Sequence, residues 1–162
     1  TVPQAIAKIP EELRPVIIHQ AGKKHVEKLR EHYAQLNVKA TVLPFIDDMV
    51  TAYANADLVI CRAGAMTVAE LSAVGVASYL VPFPFAVDDH QTANAQFLSN
   101  AGAAVLMKQS QMTADGLAQY LQTVQRSELL KMAEQALSQA KPNATQDVAA
   151  VCQQLSKKVT RS

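Results

Sequence analysis

Two short polar clusters hold most of the chemical capacity of this chain. Arg62-Ala63-Gly64-Ala65-Met66-Thr67 is followed three residues later by Glu70, and Asp88-Asp89-His90-Gln91 is followed by Asn94. In the first cluster, Gly64 lets backbone approach a ligand closely or take a positive φ. A helix opening there presents free N–H groups that attract an anion, and Thr67 adds a hydroxyl and Arg62 a charge. Phosphate binding is the chemistry this suggests; a tight turn is the alternative use of the glycine. Glu70 also has two uses. It closes a Thr67-Val68-Ala69-Glu70 capping box, or it stands one turn into a helix and accepts hydrogen bonds from vicinal sugar hydroxyls, as acidic residues do in dinucleotide folds.

In the second cluster, Asp88 or Asp89 can serve as a helix N-cap. Two adjacent carboxylates with no third ligand in view make a poor metal site, and no metal is expected. His90, Gln91 and Asn94 gather near one helix start, with His90 and Asn94 at i and i+4. Neutral donors and acceptors grouped this way suit a sugar ring. No G-x-G-x-x-G or P-loop motif occurs. Neither a G-x-S-x-G nor a cysteine with a nearby histidine supplies a nucleophile–base pair. His19 reads as a satisfied core or loop histidine, Met49 and Met66 as packing residues, and Lys23-Lys24 as a solvated helix face.

The elements that position these clusters are legible in the apolar pattern. Val16–His19, Thr41–Leu43, Asp57–Cys61, Ser78–Val81 and Ala104–Met107 are short, continuous apolar runs, the signature of strands buried on both faces. Val26, Leu29, Tyr33 and Leu36 recur at helical spacing, and 66–74 and 90–100 also read as helices. Strands alternating with crossover helices predict an α/β fold with an open parallel sheet. Ligands of such sheets bind beyond the carboxyl ends of the strands. That rule selects His19–Gly22, Pro44–Asp47, Arg62–Thr67 and Pro82–Gln91. From about residue 113 the chain reads as all helical, with apolar stripes Leu117/Leu121/Val124, Leu130/Ala133/Leu137 and Val148/Val151/Cys152/Leu155/Val159. Gln4 to Ile9 reads as the end of a helix whose preceding strand, the first of the sheet, lies outside the sequence.

The 162 residues carry a net charge of +1, 49% hydrophobic and 18% charged residues, and no Trp. That is one domain's worth of chain with material for a core. The charge rules out a strongly basic nucleic-acid surface across the whole chain, though not a local patch, and the scarcity of aromatics speaks against a base-stacking platform; no nucleic-acid partner is expected. No apolar run reaches the ~20 residues of a membrane span. Cys61 and Cys152, far apart in apolar contexts, fit a reducing compartment rather than a disulfide framework. The opening Thr1-Val2-Pro3, with no Met or signal segment, reads as a piece of a longer protein.

Three segments together resemble the C-terminal domain of the MurG family of peptidoglycan glycosyltransferases. They are Val42–Met49, Ala56–Leu71 and the pair Val81–Pro84 with Asp88–Ala95, the last with its Asp-His-Gln-Thr-x-Asn-Ala stretch, and the likeness runs from Val16 to at least Met107. It implies the C-terminal half of a GT-B enzyme, built from two Rossmann-like domains with helices on both faces of the sheet. Such enzymes transfer N-acetylglucosamine from UDP-N-acetylglucosamine to lipid I, with inversion, making lipid II. The resemblance makes residues 1–162 the UDP-sugar-binding domain. Phe45 and the Ile46 backbone would take the uracil, Met49 the ribose edge and Glu70 the ribose hydroxyls. Arg62, Gly64, Ala65, Met66 and Thr67 would line the diphosphate, and His90, Gln91 and Asn94 the sugar. The family often has glutamine where His90 stands. By the same resemblance the acceptor site, the membrane contact and the catalytic base belong to an N-terminal domain. No catalytic residue is then expected in these 162, no cofactor, and no transfer by the fragment alone. The enzyme would sit peripherally on the cytoplasmic face of the bacterial inner membrane. A UDP-N-acetylglucosamine epimerase-like half, or a non-catalytic nucleotide-sugar binding domain, are the rival expectations.

Overall fold

The computed structural model describes residues 1–85 and 89–159, with side chains up to 155. After a short helix α1 (Val2–Ala7), strands and helices alternate: β1 (Ile18–Gln20), α2 (Val26–Gln35), β2 (Thr41–Leu43), α3 (Met49–Ala54), β3 (Val59–Cys61), α4 (Ala65–Val74), β4 (Ser78–Leu80), α5 (His90–Ser99) and β5 (Ala104–Leu106). Three helices close the chain: α6 (Ala114–Thr123), α7 (Arg126–Ser138) and α8 (Ala144–Val159). None of the described helices is long and apolar enough to cross a membrane. All strand pairs are parallel, as a helix between each strand and the next requires.

β4 lies between β3 and β5, and its three residues are all buried. Successive side chains of a strand point to opposite faces, and here they build two cores. Tyr79 joins Val42, Tyr33 and Leu117 beneath α1, α2 and α6. Leu80 joins Leu71, Leu98 and Ala136 beneath α4, α5 and α7. Helices therefore cover both faces, as expected of a doubly covered α/β sheet.

Two expectations change. The single open sheet is divided among the described residues into β1–β2 and β3–β4–β5, with no ladder joining β1 to β3. Leu58, Ile60 and Ile17 still pack against the same core. Apolar patterning predicts burial, which needs only a shared core; a ladder needs two backbones at ~4.8 Å. The second change is in α7, where Leu130 and Leu137 of the expected stripe are exposed and Ala136 is the buried residue. α7 packs on α4 through small groups: a Cβ added to Gly75, at φ +73, would stand 2.9 Å from Leu137 Cβ and 3.3 Å from the Ala133 carbonyl. Gly75 also ends α4 in the left-handed conformation that glycine favours. In α8, Val148, Val151 and Leu155 are exposed.

Candidate functional site

The carboxyl end of β3 leads through Arg62-Ala63-Gly64 into α4. Gly64 is the N-cap, and the first i→i−4 bond runs from the Val68 N–H to the Gly64 carbonyl at 2.9 Å. The N–H groups of Ala65, Met66 and Thr67 thus lie at the positive end of the helix, ahead of its first turn of bonds. Gly64 has φ −64, and an added Cβ would meet only Thr67 Oγ1, at 3.7 Å, in ordinary contact. Its backbone does not demand glycine, so the positive-φ turn is excluded. Met66, expected to pack, is exposed.

The capping box on Glu70 is also excluded. A box begins at the N-cap, and Thr67 is already the third helical residue. Glu70 instead stands a turn deeper, where its Oε2 accepts the Tyr53 hydroxyl at 3.3 Å. Tyr53 lies on α3 and is buried; burial, and then the Glu70 carboxylate, push its phenol up to about 12. The sequence reading left α3 unassigned. Its one local signal was Asp48, whose Oδ1 accepts the Thr51 N–H at 2.9 Å as a cap. Met49, the first residue of α3, packs against the second core as expected.

The loop before α3 leaves β2 across the end of β1. Phe45 is 58% exposed there. Of the Ile46 backbone, expected to read the base edge, the N–H donates to Gln20 Oε1 at 2.8 Å. Beside Gln20, His19 Nδ1 lies 3.0 Å from the Tyr33 hydroxyl with the rings edge to face. Burial holds the imidazole below its ordinary value, as befits a satisfied structural histidine. Burial likewise pushes the Cys61 thiol up to about 12, away from any nucleophilic thiolate.

On the other flank, the polar groups converge on backbone. Gln91 Oε1 accepts the Phe83 N–H at 2.9 Å, and Asn94 Nδ2 donates to the Ala63 carbonyl at 3.0 Å. Arg62 donates to the Val81 and Pro82 carbonyls, both at 3.1 Å, and to Gln109 Oε1 at 2.6 Å; its guanidinium lies 5.4 Å from the Phe83 ring centre. The charge expected for a phosphate is engaged in tying β3 to the loop after β4. Asp89 is the N-cap of α5 at φ 52, a left-handed conformation that Asp tolerates. Its Oδ1 accepts the Thr92 hydroxyl at 2.6 Å. His90 opens α5. Asp88 lies outside the described residues. Among the described residues no three metal-ligating side chains come together. The sequence reading missed Gln20, Tyr53 and Gln109 as partners of site residues. Only Gln20 carried a signal, its place at a strand's carboxyl end.

The chain is similar to named proteins along nearly all its length. It is 59% identical over 156 residues to the UDP-N-acetylglucosamine--N-acetylmuramyl-(pentapeptide) pyrophosphoryl-undecaprenol N-acetylglucosamine transferase of Cupriavidus pinatubonensis, covering 96% of this chain and 44% of that protein. The protein of the same name from Azoarcus sp. is 58% identical over 155 residues, with the same shares covered. The chain spans less than half the length of these curated relatives. The crystal structure of Acinetobacter baumannii MurG matches with a TM-score of 0.86 at 47% identity, over 94% of this chain and 46% of that one. The glycosyltransferase VinC, solved with dTDP, matches at 18% identity and a TM-score of 0.63, over 85% of this chain and 32% of that one, a likeness of fold. The model of the glycosyltransferase family 28 C-terminal domain matches residues 1–150, and the chain belongs to that family.

Proposed function

We propose that this chain is the donor-binding half of an N-acetylglucosaminyltransferase. The complete enzyme transfers N-acetylglucosamine, with inversion, from UDP-N-acetylglucosamine to the muramyl sugar of the undecaprenol-linked acceptor for which its relatives are named. The observation that carries this reading is that one helix offers two adjacent ligands. The open N-terminus of α4 at Ala65–Thr67 suits a diphosphate, and Glu70, steadied from α3 by Tyr53, suits ribose hydroxyls about one turn (roughly 5.4 Å) along. Diphosphate and ribose are neighbours in a nucleotide in the same way.

The remaining assignments follow along the strand ends. Phe45, Ile46 and Met49 take the base and the ribose edge; Gly64 and Ala65 bring backbone close to the diphosphate. Arg62 acts by holding the loop after β4. His90, Gln91 and Asn94 take the sugar. Gln91 uses its carbonyl oxygen within the protein, so its amide N–H groups are the ones offered to a hydroxyl; Asn94 uses its N–H, so its oxygen is offered. As the donor's glycosidic bond breaks, negative charge collects on the departing UDP. The helix N-terminus with Thr67 stabilises that charge. The base that deprotonates the acceptor hydroxyl, the acceptor site and the membrane contact belong to the portion of the relatives that this chain does not span. The whole enzyme then works peripherally at the cytoplasmic face of the inner membrane.

An epimerase-like chemistry would need acid/base carboxylates beside the sugar, for which the sequence offers Asp88, outside the described residues, and Asp89, whose Oδ1 accepts the Thr92 hydroxyl. The test joins this chain to the remaining N-terminal portion of a relative and supplies UDP-N-acetylglucosamine with a lipid-linked muramyl-pentapeptide acceptor. A disaccharide product is expected, and none from the 162-residue chain alone. Epimerised donor, or no reaction by the joined protein, would contradict the proposal.

A further inference from the structure

Just past β4, the Val81 N–H donates to the Cys61 carbonyl at 2.8 Å. The backbone then runs Pro82-Phe83-Pro84, in which only Phe83 has an N–H. Arg62, one residue past β3, takes up the carbonyls there: its Nη1 donates to those of Val81 and Pro82, both at 3.1 Å. The Phe83 N–H donates to Gln91 Oε1 at 2.9 Å. The Pro82 carbonyl and the Phe83 N–H are opposite edges of one planar peptide, so Arg62 holds one edge and Gln91 meets the other. Gln109, in the single turn Gln109–Gln111 after β5, accepts from Arg62 Nη2 at 2.6 Å. We infer that Gln109 is a positioning residue of the sugar subsite: it keeps Arg62 on the Pro82–Phe83 peptide, and that peptide sets which end of the Gln91 amide is turned outward.

This rests on the proposed reading of Gln91 as a sugar contact, and it explains how that contact is aimed. Against an N–H, only the oxygen end of an amide is matched; the reversed amide would set N–H against N–H. A cation at the carbonyl edge polarises the peptide and strengthens its N–H as a donor. Gln91 is thereby fixed as a donor to a sugar hydroxyl. The planar fork of Arg62 reaches two carbonyls and Gln109 at once, as a lysine ammonium does not. Gln109 also explains why this cation serves the loop after β4 and not the diphosphate expected from the sequence. Its side chain is exposed and joins neither core.

The experiment compares Gln109→Leu, which removes the acceptor, with Gln109→Glu, which keeps an oxygen for Arg62. Phe83 amide hydrogen exchange, Tm and the affinities for UDP and UDP-N-acetylglucosamine are read on the 162-residue chain, with Gln91→Ala alone and combined with Gln109→Leu. In Gln109→Leu, Phe83 exchange should rise about 3- to 10-fold, and UDP-N-acetylglucosamine should weaken by a similar factor, the change carried by one net hydrogen bond. UDP affinity and Tm should hold, Gln109→Glu should restore both losses, and Gln109→Leu should add nothing to Gln91→Ala. Unchanged Phe83 exchange in Gln109→Leu would overturn the inference. So would equal weakening of both ligands, which marks a merely structural residue or a cation that serves the diphosphate. If Gln91→Ala weakens UDP and UDP-N-acetylglucosamine alike, the sugar-subsite reading itself falls, and the inference with it.

Discussion

The loops that leave β2 and β4 lie at the same end of the fold and use their polar side chains in opposite ways. On the β2 side, Gln20 and Asp48 fix the backbone, and Phe45 is left standing in solvent. On the β4 side, the polar residues expected to meet a ligand, Arg62, Gln91 and Asn94, are themselves the staples of the backbone. On the proposed reading, the first flank separates holding from binding, and the second asks Gln91 and Asn94 to do both. The difference predicts different costs of mutation in the empty protein.

The largest cost falls on the β4 side. Asn94→Ala removes the donor to the carbonyl of fully buried Ala63, and a buried acceptor left unpaired costs about 1–3 kcal/mol. Urea denaturation of the ligand-free chain should show that loss, together with weaker binding of UDP-N-acetylglucosamine. Unchanged stability would mean that Asn94 is free to serve the ligand alone.

A smaller effect tests the β2 side through pH. Burial depresses the folded-state value of His19 below its ordinary 6.5. As pH falls, the unfolded chain therefore takes up that proton first. The stability due to neutral His19 and its Tyr33 contact is complete above about pH 6.5 and is lost progressively below. The Tm gap between wild type and His19→Gln should narrow from pH 7.5 to pH 5.5. A constant gap would place no titration at His19.

The smallest stability effect is expected at Phe45. With Phe45 58% exposed, Phe45→Ala should change stability by no more than about 0.5 kcal/mol. Yet it should weaken UDP by about 1–3 kcal/mol, the range for a base stacked on an aromatic ring. If stability falls and UDP affinity does not, the contrast between the two loops fails.

The contrast also explains what could be read in the sequence. The five strands and most of the helices around them were legible because continuous apolar runs and 3.6-residue spacing report burial, although Ile18 of β1 stands 56% exposed. β1 alone moved, to Ile18–Gln20, leaving Val16 exposed. The neighbourhood of the site was legible from the position of polar residues after strands. The direction of each side chain was not. Arg62 meets Gln109 across 47 residues and Glu70 meets Tyr53 across 17, and no local pattern encodes such pairings. The Thr67–Glu70 spacing matched a capping box only until Gly64 was seen to start the helix. α3 escaped notice because its six residues, Met49–Ala54, are too few to establish a period.

The central claim is that Glu70 holds the ribose of a nucleotide donor, and four affinities test it. UDP and 2′,3′-dideoxy-UDP are each titrated into the wild-type chain and Glu70→Ala. The account predicts that the substitution weakens UDP by about 1.5–3 kcal/mol, the range for hydrogen bonds to a charged group. Dideoxy-UDP, which has no ribose hydroxyl to donate, should be nearly indifferent to it. Equal weakening of both ligands, a coupling energy near zero, would contradict the ribose assignment and with it the placing of the donor along α4.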